Sequence, residues 1–255
     1  MTTKRLPDAV LFDWDGTLVD TMPMIYRANV IALRSYGMSM SREWFRERYT
    51  PDWRQSYREL GIPEDVWDEM ARRWSDEMVK MRPRAMPWAR TALRRLRTHG
   101  IRVGLVTAST RAVVEPSIAR LNLTGVFETA FYSDDVARSK PHPEALLRAL
   151  DELGIAPAAT TYVGDTPVDL EMTRAAGATF VAVGTTTPAS VFLAAGVDRV
   201  WSGVGAWADD LLGGSRSGSD HAVTCHGVTG DGSGRPDNRS DRHGLEGAVT
   251  GRIGG

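Results

Sequence analysis

Val10-Leu11-Phe12-Asp13-Trp14-Asp15-Gly16-Thr17-Leu18-Val19-Asp20 is the stretch around which the chain is organised. A short apolar run ends in two carboxylates at i and i+2, and a glycine follows. A run of this kind, bounded by Gly, reads as a buried strand ending in a sharp turn. Along a strand, residues i and i+2 share a face, so Asp13 and Asp15 leave the carboxyl end in one direction. In a parallel α/β sheet that end is where ligands bind. Two carboxylates a few Å apart repel unless a cation or a shared proton relieves them. Mg²⁺ is the natural relief, because it takes oxygen ligands and retains waters. With the cation in place, one Asp can serve as nucleophile and the other as acid or base. Gly16 and Thr17 would present backbone N–H groups to a phosphate. The competing reading is a plain Asp-Gly turn with solvated carboxylates, and the rest of the chain decides between the two.

From residue 88 onward, helix and strand alternate. Residues 89–99 have helical spacing (Ala92, Leu93, Leu96) closed by Gly100. Residues 101–106 form a strand followed at once by Thr107-Ala108-Ser109, and a helix carries Val114, Ile118 and Leu121. Residues 130–133 form a short strand, and Ser139-Lys140-Pro141-His142-Pro143 forms a loop. The next helix carries Leu146, Leu147, Leu150 and Leu153. Tyr162-Val163 leads into Gly164-Asp165, a helix over 170–176 follows, then a strand over 179–183, a helix over 188–195 and a last short strand over 199–202. This alternation predicts a doubly wound, Rossmann-like parallel sheet with right-handed crossovers. It puts Thr107, Lys140 and Asp165 just after strand ends, on the edge that carries Asp13.

Between residues 21 and 84 there is no strand-like alternation. Asp20-Thr21-Met22-Pro23 reads as a helix start with Asp20 as the capping residue. Ile25, Ala28, Ala32, Leu33 and Tyr36 keep helical spacing, and three further helical patterns follow, rich in Trp, Met and Arg. This predicts an all-helical domain inserted directly after the first strand. Leu18–Thr21 and the proline-interrupted stretch 82–87 would be its two hinges. The expected organisation is an α/β core over 1–20 and 86–212, a helical insertion over 21–85, and a disordered tail over 213–255, where Gly, Ser, Asp and Arg dominate. Metal binding by His221, Cys225 and His226 in that tail is disfavoured. The Trp and Met positions of the insertion read as its core. Arg42, Arg46, Arg48, Arg54 and Arg58 read as a solvated face, with recognition of a second anionic group on the substrate as the alternative.

The 255 residues are 42% hydrophobic and 25% charged, which fits one core domain plus an insertion, or two small domains. The formal net charge of −1 gives no reason to expect a nucleic acid or an acidic membrane as partner. A single cysteine, Cys225, excludes an intramolecular disulfide framework and a cysteine-based zinc site. No apolar run is long enough to span a membrane, and residues 1–8 lack a secretory apolar segment. These features lead to the expectation of a soluble cytoplasmic protein, monomeric or homodimeric.

Asp13 to Asp20 resembles, residue for residue, the first motif of the haloacid dehalogenase superfamily in its phosphatase branch, D-x-D-G-T-L-x-D. The dehalogenases lack the second Asp, so Asp15 points to phosphoryl transfer. Val103–Thr107 resembles the second motif, a hydrophobic strand ending in Ser or Thr. Ser139-Lys140-Pro141 resembles the third, and Gly164-Asp165-Thr166-Pro167-Val168-Asp169 the fourth, G-D-x-x-x-D. The resemblance covers roughly residues 8–210 and implies that the helical insertion is a cap over a phosphate site.

It also implies roles. Asp13 attacks phosphorus to form an aspartyl-phosphate. Asp15 protonates the leaving oxygen and then activates water. Mg²⁺ is held by Asp13, the Asp15 backbone carbonyl and Asp165. Gly16, Thr107 and Ala108 line the phosphate, and Lys140 bridges phosphate and Asp13. Asp169 supports the metal, pairs with Lys140 or caps the next helix. His142 reads as a loop residue. The implied activity is Mg²⁺-dependent hydrolysis of a small phosphorylated metabolite, of the phosphoglycolate-phosphatase-like type. A phosphosugar mutase of the β-phosphoglucomutase type is the first alternative, and a binding protein without turnover the second. A phosphonate hydrolase would need a cap lysine, and Lys80 is the only one in the insertion.

Overall fold

The computed structural model describes residues 5–213 and 222–224. Strand β1 (Ala9–Phe12) is buried along its whole length. Its alternate residues enter two different cores. Val10 and Phe12 pack with Leu93, Leu96, Ile118 and Trp207, whereas Ala9 and Leu11 pack with Leu146, Leu150 and Met172. A strand covered on both faces must read as a continuous apolar run, and the sequence Ala-Val-Leu-Phe meets that need. The same alternation sends Trp14 into the first core and leaves Asp13 on the opposite side, with the elements that carry its partners.

After β1 come β2 (Arg102–Val106), β3 (Thr129–Phe131), β4 (Thr160–Gly164), β5 (Thr179–Val183), β6 (Arg199–Trp201) and β7 (Ala222–Thr224). The spatial order is β3-β2-β1-β4-β5-β6-β7. All neighbours are parallel except β6 and β7, which are antiparallel. The chain runs outward from β1 through β2 and β3, then returns to place β4 on its other side. That reversal creates a crevice at the carboxyl ends of β1, β2 and β4, where ligands bind in open α/β sheets. Phe12 is level with Leu105 of β2 and Val163 of β4, so these three strands end together.

Helices α1 (Met22–Arg34), α2 (Arg42–Arg48), α3 (Trp53–Glu59) and α4 (Trp67–Lys80) fill the stretch between β1 and α5 (Ala89–Thr98). They share a core of their own, including Ile25, Leu33, Phe45, Tyr57, Trp67, Met70 and Met78, which also takes in Val113 from α6 (Arg111–Arg120). The two crossings between this bundle and the sheet are tied together. Asp20 N–H donates to the Arg84 carbonyl at 2.9 Å, and Met86 N–H donates to the Leu18 carbonyl at 2.8 Å. Val19 and Ala85 form an antiparallel bridge.

That pairing corrects the reading of Asp20. The residue before α1 is Thr21, with no side-chain capping bond, because the Asp20 backbone belongs to the crossing ladder. The remaining helices are α7 (Glu144–Leu153), α8 (Pro167–Ala176), α9 (Ala189–Ala194) and α10 (Val204–Leu211). Helix α8 begins three residues earlier than its apolar spacing predicts. Pro167 occupies the first turn, and Thr166 with Asp169 forms a reciprocal capping box. Strand β7 is a second correction, since residues 222–224 extend the sheet where a disordered tail was expected. His221, Cys225 and His226 lie outside the described residues. Among the described residues no helix is long and apolar enough to cross a membrane.

Candidate active site

The four sequence segments do converge at the strand ends. Asp13 follows β1, Thr107 follows β2, Lys140 lies in the loop before α7, Asp165 follows β4, and Asp169 sits in the first turn of α8. A cavity of about 790 Å³ opens between this edge and α1–α4, with Asp13, Asp15, Ala108, Ser109, Lys140 and Asp169 among its lining residues.

Lys140 is the hub. Its ammonium donates to Asp13 Oδ1 at 2.7 Å, to Asp169 Oδ1 at 2.8 Å and to the Tyr162 hydroxyl at 2.5 Å. An ammonium has three protons, so all three are used within the protein. The Tyr162 hydroxyl in turn donates a hydrogen bond to the Val106 carbonyl at 2.7 Å. Burial works against the charge on Lys140, but Asp13 and Asp169 outweigh it and raise its pKa. Asp169 is equally committed. Its Oδ2 accepts from Thr166 N–H at 3.1 Å and from the Thr166 hydroxyl at 2.6 Å, so it caps α8 and holds Lys140 at once. Gly164 makes room for this, because a Cβ there would lie 2.6 Å from Asp169 Cβ.

Asp15 stands apart from that network. Its Oδ2 accepts from Ser109 Oγ at 2.5 Å, and its Oδ1 is buried without a partner. Burial pushes its carboxyl up, with the Ser109 and Thr21 hydroxyls opposing. Thr107 is buried and accepts the Ser109 N–H at 3.0 Å. That contact fixes the turn carrying Ala108 and Ser109 into the cavity wall.

Gly16 requires a correction. Its N–H donates to the Val19 carbonyl at 2.8 Å, so the turn consumes the group that would have met a phosphate. The residue matters for a different reason. It has φ +80°, and a Cβ there would lie 2.2 Å from Asp165 Oδ2 and 2.4 Å from Thr186 Oγ1. Only glycine lets the turn close over the Asp165 carboxylate.

Asp165 accepts from Thr17 Oγ1 at 2.9 Å through Oδ1, while its Oδ2 is buried and unpartnered. Burial first, and then Asp169, push its carboxyl up to about 7. Asp13 moves in the same direction through burial and the neighbouring carboxylates, with Lys140 opposing. Carboxylate oxygens of Asp13, Asp165 and Asp169 lie within 4.8 Å of one another. Four aspartates thus gather around one ammonium that bonds only two of them, Asp13 and Asp169, and two buried carboxylate oxygens, on Asp15 and Asp165, have no hydrogen bond. An all-oxygen set with excess negative charge and orphaned acceptors fits a hard divalent cation. Asp13 and Asp165 are the suited side-chain donors, since both Asp169 oxygens are already bonded.

Ser109, Tyr162 and Thr186 are functional candidates that sequence reasoning passed over. Ser109 and Thr186 each sit three residues beyond the end of a strand, β2 and β5, on the same edge, and that placement was the available signal. The arginine face behaves as a solvated surface. Arg42 stacks on Tyr26, Arg54 on Trp53 and Arg58 on Trp67, Arg48 pairs with Glu59, and neither these nor Arg46 line the cavity. Lys80 is exposed, pairs with Glu77 at 2.7 Å and also lies away from the cavity.

Residues 10–183 match the family model described as haloacid dehalogenase-like hydrolase. Among curated proteins, the phosphoglycolate phosphatase of Yersinia pestis is 28% identical over 188 residues, covering 66% of this chain and 77% of the relative. Among solved structures, a Bacteroides fragilis protein described as haloacid dehalogenase-like is 27% identical with a TM-score of 0.73, covering 78% of this chain and 98% of that one. A Thermotoga maritima structure named for β-phosphoglucomutase is 22% identical with a TM-score of 0.62, covering 82% of this chain and all of that one, and shares the fold. The matched segment contains Asp13, Asp15, Thr107, Lys140, Asp165 and Asp169 in order, so the chain belongs to the haloacid dehalogenase-like hydrolase family.

Proposed function

We propose that this chain is a phosphatase that hydrolyses phosphate monoesters through an aspartyl-phosphate on Asp13. The observation that carries the reading is the unlike treatment of two adjacent carboxylates. Asp13 is gripped by the Lys140 ammonium, whereas Asp15 meets a neutral hydroxyl. Environments that set two carboxyl groups apart assign them different tasks. Burial raises both carboxyls, so the contrast lies in their partners: the ammonium orients Asp13 and opposes its rise, as a nucleophile needs, whereas Asp15 bonds only a neutral hydroxyl and is left to carry a proton to and from the reacting oxygens.

In the first step the free Asp13 oxygen attacks phosphorus in line with the leaving group, and Asp15 passes its proton to the departing alkoxide. In the second, Asp15, now a carboxylate, takes a proton from water as that water attacks the phosphorus. Phosphate leaves and Asp13 is restored. Lys140 orients Asp13 throughout, and Asp169 with Tyr162 orients Lys140. Mg²⁺ held by Asp13, Asp165 and the Asp15 carbonyl would neutralise the equatorial phosphate oxygens. Helices α1–α4 would serve as the cap that excludes water during both steps. The curated relative is named as a phosphatase, and the likeness to a phosphomutase concerns the fold alone.

The test is release of inorganic phosphate from a panel of monoesters, with Mg²⁺ and with chelator, comparing wild type and Asp13→Asn. Metal-dependent release that disappears in a folded Asp13→Asn protein is expected. A folded variant that still turns over would remove Asp13 from its role. Conversion of a sugar phosphate to an isomer without free phosphate would replace hydrolysis by the mutase reading.

A further inference from the structure

The cavity above the carboxylates has walls of a particular kind. Trp44, Tyr49, Trp53 and Trp74 all face it, and all four remain half-exposed. Two of the rings, Tyr49 and Trp53, are held by neighbouring aromatics. Phe45 lies 5.3 Å from Tyr49 and 5.5 Å from Tyr26 between centroids, and Trp53 lies 5.1 Å from Tyr57 and 6.1 Å from Trp67. That part of the wall is therefore set before any ligand arrives, which lowers the cost of ordering it on binding.

The charge pattern offers a small acid little beyond the exposed Arg72. Among the described lining residues the only cations are Lys140 and Arg72. Lys140 has spent its protons on Asp13, Asp169 and Tyr162. Arg72 turns its Nε back to the Asp68 carbonyl at 3.4 Å, and Asp68 lines the same wall. Asn29 likewise returns its amide to the Ile25 carbonyl at 3.0 Å. A carboxylate entering beside the phosphate would lose water and meet Asp68 and Asp134 in the same wall, with only neutral hydroxyls such as Thr50, Ser56 and Ser75 between the rings, an exchange that disfavours binding. A flat apolar group would lose nothing and cover exposed aromatic surface.

We propose that the leaving group this site selects is an alcohol bearing an aromatic ring on a short chain, rather than a small hydroxy acid. The proposal rests on the phosphatase reading and specifies its substrate class.

The experiment compares kcat/KM for 2-phenylethyl phosphate, ethyl phosphate and phosphoglycolate. All three leave as primary alkoxides, so the ring is not confused with a better leaving group. Burying one phenyl ring predicts a preference of about ten- to hundredfold for the phenylethyl ester over the ethyl ester. Trp44→Ser and Trp74→Ser, made separately and checked for folding, should each shrink that ratio several-fold. In parallel, quenching of tryptophan fluorescence should show 2-phenylethylphosphonate binding about tenfold or more tighter than ethylphosphonate in Mg²⁺. Phosphate release from all three esters with no ring preference, or with phosphoglycolate preferred, overturns the proposal and leaves the phosphatase reading intact. Absence of release from every ester overturns the phosphatase reading. The phosphonate comparison still decides the cavity's ligand class, and equal affinities there refute it.

Discussion

Replacing Gly16 by alanine separates two jobs that one residue does. The backbone there has φ +80°, and a residue with a Cβ pays about 1–2 kcal/mol to adopt it. The second job is steric. The new Cβ would stand 2.2 Å from Asp165 Oδ2, roughly 1 Å or more inside van der Waals separation. The carboxylate proposed to hold the cation must shift by about that much, and a displacement of about 1 Å in a catalytic constellation costs about a hundredfold. Gly37 is the control, because it has φ +69° with nothing within 4 Å of its would-be Cβ. Gly37→Ala should therefore lose about 2–8 °C in Tm, the strain converted at about 2–4 °C per kcal/mol for a chain of this size, and Gly16→Ala at least as much, since the steric clash adds to the strain. Only Gly16→Ala should lose about a hundredfold in kcat/KM and require more Mg²⁺. Thermal unfolding, phosphate release and a Mg²⁺ titration read the three quantities. Equal retention of activity in the two variants would refute the claim that Gly16 exists to admit the Asp165 carboxylate.

Lys140→Met leaves Asp13 and Asp169 facing each other without a cation, and urea unfolding should register a loss of about 3–5 kcal/mol together with activity; an unchanged midpoint would contradict the hub. Asp165 titrates at about 7 in the folded chain against an ordinary 3.8, so the folded state binds more protons than the unfolded one between those values. Stability of the chelated protein should therefore fall as pH rises through that window, more steeply than in Asp165→Asn, with Mg²⁺ restoring more Tm at pH 8 than at pH 5; identical slopes would dispose of this. Ser109→Ala removes a bond that lowers the Asp15 pKa, so the basic limb of kcat/KM should move to higher pH, and a downward shift would argue against Asp15 as the proton donor. Asp20→Ala should change stability by less than about 0.5 kcal/mol, since Asp20 does not cap α1, and a drop of a full cap's worth would reinstate that role.

The sheet could be read from residues 8–201 because its signals are local. An apolar run, a glycine and a following helical period are all contained within a dozen residues. The same locality explains why α8 was entered too late, since its start depends on Thr166 and Asp169 bonding to each other, a signal apart from the apolar spacing. Tyr162 was invisible for a stronger reason. It sits in a fully buried strand and reads as core, and only its hydroxyl, shared among Lys140, Asp169 and Val106, gives it a task. Ser109 meets Asp15 across 94 positions, a pairing with no periodicity to betray it. The helical insertion hid most. Met70 and Trp74 follow one another at helical spacing, yet Met70 is wholly buried and Trp74 is left half-exposed at the cavity. Apolar identity does not say which side of a small bundle faces its own core and which faces a ligand.

The tied crossings have a consequence for how such a chain can change. Because Asp20 bonds to Arg84 and Leu18 to Met86, the bundle departs and rejoins at a single point, as the stem of a hairpin does. Everything beyond that stem could be exchanged for another bundle, or for a short turn, without altering the register of a single sheet strand. The aspartates and the lysine all lie on the retained side. Recombination at this stem would therefore hand a finished reaction centre a new chamber in one event, and the aromatic walls could have been acquired, or replaced, independently of the chemistry beneath them.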